Sequence, residues 1–281
     1  MNVLISVDME GIAGVVRAPH ISINNNDYGR FRKLATAETN AAIEGALAGG
    51  ATRVVVNDSH ADGDNILIED LNPAAELISG TRKPFDMMQG IGPDVDAVFF
   101  IGYHGAAGTG AAVLEHTYRG AVIEARLNGQ MVGEMGFGAA LAGDYGVPSE
   151  WPFQKANGVP VVLATGDTAT AEEARALLGE IETVAVKEVI SRTAARNLHP
   201  DVACKMIRQA AERALNLRSP PFVVPPPITV RIVFQRAAHA DMATMIPGSV
   251  RADGRTVEWT GDDMFTVYKT FRAMVALAYI E

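Results

Sequence analysis

The sequence predicts an α/β protein, with a mostly parallel central sheet flanked by helices and a second, smaller α/β section. Three observations predict it. Val3, Leu4, Ile5 and Val7 form a short β-branched apolar run, and Arg53 to Asn57 (RVVVN) is a second one, the composition of buried strands. Between them, Tyr28 to Gly49 places Phe31, Leu34, Ala41, Ala42, Ala46 and Leu47 roughly on one helical face and stops at Gly49–Gly50. Strand, helix and strand in that order make a right-handed crossover in a parallel sheet. Third, Val95 to Ile101 (VDAVFFI) is almost continuously apolar, as a central strand covered on both faces must be.

The remaining elements follow in order. Val15 to Tyr28, with Pro19 and Asn24 to Asn26, has no clear period and reads as a loop. Asp58 to Asn65 (DSHADGDN) is a polar turn, Asn72 and Pro73 open a short helix, and Ser79 to Pro84 is a loop. Residues 102 to 110 (GYHGAAGTG) form a glycine-rich loop without the Lys–Ser or Lys–Thr pair of a phosphate loop. Val122 to Leu127 is a strand, Asn128–Gly129 a hairpin turn, and Val132 to Tyr145 a helix rich in glycine and alanine. A second section begins near Gly146. It holds strands at Pro160 to Ala164 and Thr183 to Val186, and a helix at Ala169 to Leu178 capped by Thr168. A helix from Asp201 to Leu215 follows His199–Pro200, and the proline-rich stretch Ser219 to Pro227 breaks regular structure. Ile228 to Phe234 and Arg255 to Trp259 are strands, His239 to Met245 a short helix, and Asp262 to Ile280 a terminal helix.

Composition narrows the function. The chain has 281 residues, enough for one large α/β domain or two smaller ones. Its formal net charge of −9 argues against broad binding to nucleic acid or to an acidic membrane surface. A single cysteine, Cys204, rules out an intrachain disulfide framework, fits a reducing compartment and packs in or near the core of its helix. No window reaches the roughly 18 apolar residues of a membrane span, and no secretory signal opens the chain, so the expected location is the cytoplasm.

The chemistry gathers at strand ends. Asp8 and Glu10 close the first strand on one side, two residues apart, with Gly11 and Gly14 behind them. Two such carboxylates either are solvated or repel each other until a cation sits between them. His60 follows the second strand and His104 the VDAVFFI strand, and ligands in open parallel sheets bind beyond the carboxyl ends of strands. Glu134 lies in the first turn of the glycine-rich helix, where the helix dipole alone already favours a carboxylate. Two imidazoles and three carboxylates suit a pair of divalent ions roughly 3.5–4 Å apart, most simply bridged by Asp8. Mixed nitrogen and oxygen donors favour zinc and admit manganese or cobalt.

Other readings stand beside this one. Each histidine taken singly is a polar loop residue. Residues 58 to 69 space Asp58, His60, Asp62, Asp64 and Glu69 much as a calcium loop would, although His60 replaces a hard oxygen and a β-rich run replaces the preceding helix. A two-metal site serves amide or phosphoester hydrolysis alike. The second would draw on an arginine such as Arg119 or Arg126, and a metal-binding protein without turnover is a third class. In the second section, His239, Asp241 and Trp259 are candidates for a substrate pocket or a subunit contact.

The motifs SVDMEGIAG (residues 6 to 14), NDSHADGDN, GYHGAAGTG, His116–Thr117 and NGQMVGEMG, with the later IPGSVRADGRTVEW (residues 246 to 259), resemble the zinc-dependent D-aminopeptidase family of bacterial dipeptide-utilisation loci. The likeness spans the chain. It implies metal ligands at Asp8, Glu10, His60, His104 and Glu134, two Zn2+ per chain with the aspartate shared, and a catalytic role for His116. It also implies a homo-oligomer, typically a decamer of two stacked pentamers around a cavity, acting on short peptides or amides of D-amino acids. On this reading residues 1–146 form the metal-binding domain, and residues 147–281 contribute to the substrate pocket and oligomer contacts. Glu115 is a charged residue beside His116 where a more neutral one is expected, with consequences for specificity.

Overall fold

The computed structural model describes residues 1–144 and 158–278, so the expected boundary near Gly146 lies outside the described residues. In chain order the elements are β1 (Asn2–Val7), α1 (Tyr28–Ala48), β2 (Arg53–Asp58), β3 (Ala75–Ile78), β4 (Ala97–Ile101), β5 (Val122–Leu127), β6 (Gln130–Met131) and α2 (Glu134–Asp144). They continue with β7 (Val161–Asp167), α3 (Thr168–Leu178), β8 (Glu182–Ser191), β9 (Ala194–Asn197), α4 (Pro200–Ala214), β10 (Ile228–Phe234), α5 (Ala237–Ala243), β11 (Val250–Arg251), β12 (Thr256–Gly261) and α6 (Met264–Ala278). Short 3-10 turns lie at Ala18–Ile21 and Asp86–Met88.

The central sheet has the order β3-β2-β1-β4-β7-β8-β9. All its pairings are parallel except the β8–β9 hairpin at one edge. Both faces are covered, which is why β1 is apolar at nearly every position. Leu4 points into a core shared with β4, α2, the second sheet and α6. Val3, Ile5 and Val7 point the other way, into a core closed by α1 and α4. The second sheet is antiparallel, in the order β11-β12-β10-β5-β6. Both sheets draw strands from before and after residue 146.

Most elements lie where the sequence puts them, and the differences have local causes. Ala75–Ile78 is a strand, not a helix opened by Asn72–Pro73. Asn72 makes a tight turn there, its side chain accepting from the Ala74 N–H, and the edge of β2 then offers a parallel partner. The cap of α3 is Asp167, whose carboxylate accepts from the N–H of Thr170, rather than Thr168. β8 runs past Val186 because it pairs with β9, a strand the sequence reading omitted. The hairpin turn at Asn128–Gly129 is present with positive φ at both residues, 46° and 84°, the conformation that favours this dipeptide.

The fold aligns three strand ends. β1 sits between β2 and β4, with Val7 level with Asp58 on one side and Ile101 on the other. The segments that follow all three strands therefore leave the sheet side by side. Gly102 at the end of β4 has φ +70°, and the Gly11 N–H donates to its carbonyl at 2.8 Å. A Cβ on Gly11 would overlap the Tyr103 carbonyl, and one on Gly102 the Asp8 carbonyl. Glycine at both positions is what lets the two loops approach.

Candidate metal centre

Asp8, Glu10, His60, His104 and Glu134 are all buried, and they meet at one place with His116 beside them. Asp8 and Glu10 come from the end of β1, His60 from the loop after β2, and His104 from the loop after β4. Glu134 is the first residue of α2, shortly after the β5–β6 hairpin. Asp8 stands at the centre. Its Oδ1 is 3.2 Å from His60 Nδ1, which is itself 3.1 Å from Glu10 Oε2. Its Oδ2 is 3.3 Å from His104 Nε2, which is 2.9 Å from Glu134 Oε2. One carboxylate thus touches two separate His/carboxylate sets, one on each oxygen. His116 Nε2 lies 3.9 Å from Glu10 Oε1 and 3.8 Å from Glu134 Oε1, and its ring stacks on His104 with centroids 4.1 Å apart.

Each imidazole is oriented by its other nitrogen. His60 Nε2 faces the Ile21 carbonyl at 3.2 Å, His104 Nδ1 the Gly105 carbonyl at 2.9 Å, and His116 Nδ1 the Leu114 carbonyl at 2.9 Å. A carbonyl only accepts, so in each ring that nitrogen carries the proton. The nitrogen left over points into the carboxylates. This pairing of a ring N–H with a backbone oxygen is the usual way a metal-binding histidine is held.

The charges are crowded. Burial, followed by the Glu10 charge, pushes the Asp8 carboxyl up to about 7. Burial also opposes ionisation of Glu10, but the His60, His104 and His116 rings outweigh it and hold that carboxyl well below its ordinary range. Burial works against protonation of His60 and His104, and the carboxylates overcome it, raising both rings well above the ordinary imidazole value. Asp8 Oδ2, Glu10 Oε2 and His104 Nε2 are nevertheless buried without a hydrogen bond. Three carboxylates, two of them with orphaned oxygens, facing imidazole nitrogens a few ångströms away, fit divalent cations.

The surrounding polar groups serve the loops. Asp58 accepts from the N–H groups of Asn65 and Ile66 and from the Asn65 side chain, which also donates to the His60 carbonyl. Asp58 is thereby committed to folding the turn, while Asp62 and Asp64 are exposed, so the calcium-loop reading has no converging oxygens. Lys187, buried in β8, donates to the carbonyls of Glu10 at 2.5 Å, Ile12 at 3.0 Å and Val15 at 2.6 Å. It ties down the loop that carries Glu10. The sequence reading missed it, and its only signal was a lysine directly after the apolar run Val184 to Val186.

A cavity of about 140 Å³ opens onto the cluster, lined also by Asp86, Tyr118, Arg119 and Arg272. Arg119 reaches it, whereas Arg126 is paired with Glu124 in the hairpin. Glu115 turns away from the site to an ion pair with Arg192 at 2.7 Å. His239, Asp241 and Trp259 do not line the cavity. Asp241 pairs with Arg251, and Trp259 donates to the Pro247 carbonyl. Cys204 is half-buried, and burial pushes its thiol up to about 11, far from a nucleophile's range.

Three carboxylates and three imidazoles meet over an open cavity, four of these six residues following strands of the parallel sheet, a donor set of the kind that metallohydrolases use. The family model for D-aminopeptidase, peptidase family M55, matches residues 1–150 and 153–273, and the chain belongs to this family. It is a metal-dependent D-aminopeptidase acting on short peptides. A D-aminopeptidase of Bacillus subtilis (strain 168) is 34% identical over 281 residues, 99% of this chain and 98% of that protein. The solved structure described as Zn-dependent D-aminopeptidase DppA from Bacillus subtilis, a self-compartmentalizing protease, has a TM-score of 0.93 at 33% identity, covering 100% of this chain and 99% of that one. Among the classes that the sequence left open, family membership selects peptide hydrolysis over phosphoester hydrolysis or metal binding without turnover.

Proposed function

We propose that Asp8, Glu10, His60, His104 and Glu134 hold two Zn2+ ions per chain and that His116 is the proton-transfer residue of amide hydrolysis. The observation that carries this is the placement of Asp8, one oxygen in the Glu10–His60 set and the other in the His104–Glu134 set. Asp8 is then the shared ligand. Zinc bound there supplies Lewis acidity, polarising the scissile carbonyl and making water acidic near neutral pH.

The chain's own residues do the rest. With its Nδ1–H committed to the Leu114 carbonyl, His116 turns its Nε2 to the cavity, the nitrogen that would take and return a proton. As water attacks the carbonyl carbon, its proton passes to that Nε2. The imidazolium so formed faces Glu10 and Glu134, whose charges stabilise it. It then donates the proton to the departing amine as the C–N bond breaks. The Tyr118 N–H, donating to Glu134 Oε1 at 2.6 Å, holds that carboxylate in place throughout.

Residues 147–281 contribute to the substrate pocket and to subunit contacts in this reading, supported by Arg272 in the cavity wall. The chain assembles as a closed homo-oligomer on the analogy of the self-compartmentalizing relative, and the family resemblance makes that oligomer a decamer. A cytoplasmic location agrees with its single, unpaired cysteine. No described helix is long and apolar enough to cross a membrane. The deciding experiment measures zinc per chain alongside cleavage of matched D-Ala and L-Ala dipeptides and amides, with and without chelator. Two zinc ions and chelator-sensitive cleavage favouring the D form are expected. A zinc-free protein that still cleaves, or one zinc per chain at saturation, would overturn the ligand assignment.

A further inference from the structure

We propose that Arg272 is the subsite for the substrate's free C-terminal carboxylate, so that the enzyme selects short peptides by their charged end. The proposal rests on the function proposed above. Arg272 comes from α6, remote in sequence from the metal cluster, yet its guanidinium lines the same cavity as Asp8, Glu10, His116 and Glu134. It is held on two sides. Nη2 is 2.9 Å from Asp86 Oδ2, and the guanidinium carbon lies 4.4 Å from the centroid of the Tyr118 ring.

Both supports are themselves fixed. The Asp86 and Met87 carbonyls accept from the Asn57 side chain, and the Met87 carbonyl also from Ser6, so the 3-10 turn is tied to the ends of β1 and β2. Tyr118 donates its N–H to Glu134 and contacts Tyr268 through its hydroxyl. The cation is therefore preorganised at a set position relative to the metal cluster.

Its chemistry is only partly used. A guanidinium carries five N–H donors in a planar fork that matches a carboxylate, and Asp86 meets that of Arg272 at Nη2. Its side chain is 31% exposed, facing the cavity. A short peptide brings an ammonium at one end and a carboxylate at the other. The cavity's other carboxylates belong to the metal cluster, so the anionic end of the substrate is the group that the cavity-facing guanidinium complements. A cavity of about 140 Å³, near the ~150 Å³ that encloses a benzene-sized ligand, keeps both ends of a dipeptide within reach of the walls.

The test compares D-Ala-D-Ala with its C-terminal amide on the zinc-loaded enzyme, reading kcat/KM for release of the first D-alanine. Wild type is expected to favour the free acid by on the order of 10²-fold, mostly through KM, as loss of a charge-assisted bidentate pair predicts. Arg272→Met should reduce that ratio to within about threefold, and Arg272→Lys should restore it only in part, because an ammonium lacks the fork. Equal cleavage of the two substrates by wild type, or an unchanged ratio in Arg272→Met, would overturn the proposal. Calorimetric binding of a reduced-peptide-bond analogue, as free acid and as amide, gives the same comparison without turnover. It decides the role of Arg272 even if the hydrolytic reading fails, and wild type needs no variant to fold.

Discussion

Asp8 meets both His60 and His104, one on each carboxylate oxygen, and substitutions should reveal it. Asp8→Ala is expected to lose both zinc ions by elemental analysis, whereas His60→Ala and Glu134→Ala should each lose one, since each touches one set. Activity should fall beyond the ~10–100-fold that follows loss of an outer partner. Retention of one zinc by the Asp8 variant would contradict the shared role. His116→Ala should keep full zinc content while kcat falls by roughly 10²–10⁴, the usual worth of a positioned acid–base group. If zinc fell with it, His116 would be a ligand instead. The cluster was legible at this scale because chemistry-bearing residues stood at strand ends in a short-loop α/β pattern, which topology then converges. Asp86, Tyr118 and Arg272 were not. They reach the cavity from the 3-10 turn after β3, the segment that follows the glycine-rich loop, and α6, and no local spacing connects them.

The β1 loop shows how an element fixes a side chain. Its carbonyls at Glu10, Ile12 and Val15 share one buried ammonium, and the Ala13 N–H donates to the buried Glu38 carboxylate of α1 at 2.8 Å. Lys187→Met would leave the Glu10 and Val15 carbonyls without that donor, at about 1–3 kcal/mol each, while the Ile12 carbonyl keeps the Val15 N–H at 3.1 Å. The variant should therefore unfold at least roughly 2 kcal/mol more easily, and its zinc affinity should drop with it. A variant as stable as wild type would show that water replaces the ammonium. Glu38 supplies a pH test. Burial raises its carboxyl to about 7 from 4.5, so the folded chain binds more protons between those values and stability falls as pH rises through that window. Glu38→Gln removes the dependence. Measured on metal-free protein, the variant should gain on wild type from pH 5 to pH 8 by roughly 3 kcal/mol, since each pH unit inside the window is worth ~1.36 kcal/mol. An unchanged difference across that range would refute the assignment. The same scale explains where sequence reading succeeded. Strands buried on both faces announce themselves by composition, as β1 and β4 do. β3 and β9 depend on a neighbouring edge for their pairing, and the helix formers in Ala-Ala-Glu-Leu gave the wrong local preference.

At the scale of the whole molecule, the two sheets exchange strands on either side of residue 146, so the cavity wall is built from both ends of the chain. The sequence contained the parallel sheet but not the antiparallel one, whose strands β5 and β10 pair across about a hundred residues. What the single chain leaves uncovered bears on assembly. Ile23, Ile68, Ile190, Met245 and Val250 are each at least 60% exposed. Large apolar side chains so exposed, in a chain with net charge −9, are the kind that subunit contacts bury. Ten copies of the 29.8 kDa chain would give a particle of about 300 kDa with closed point-group symmetry. Native mass spectrometry should find that particle, and Ile68→Asp or Ile190→Asp, by placing a charge in a desolvated contact, should shift it toward smaller species. Closure also predicts a size limit: cleavage of D-Ala from a tripeptide but not from the end of a folded protein, with the limit relaxed in whichever variant dissociates. A monomeric wild type with full activity would remove the enclosing cavity from the mechanism, leaving selection to the pocket and to Arg272.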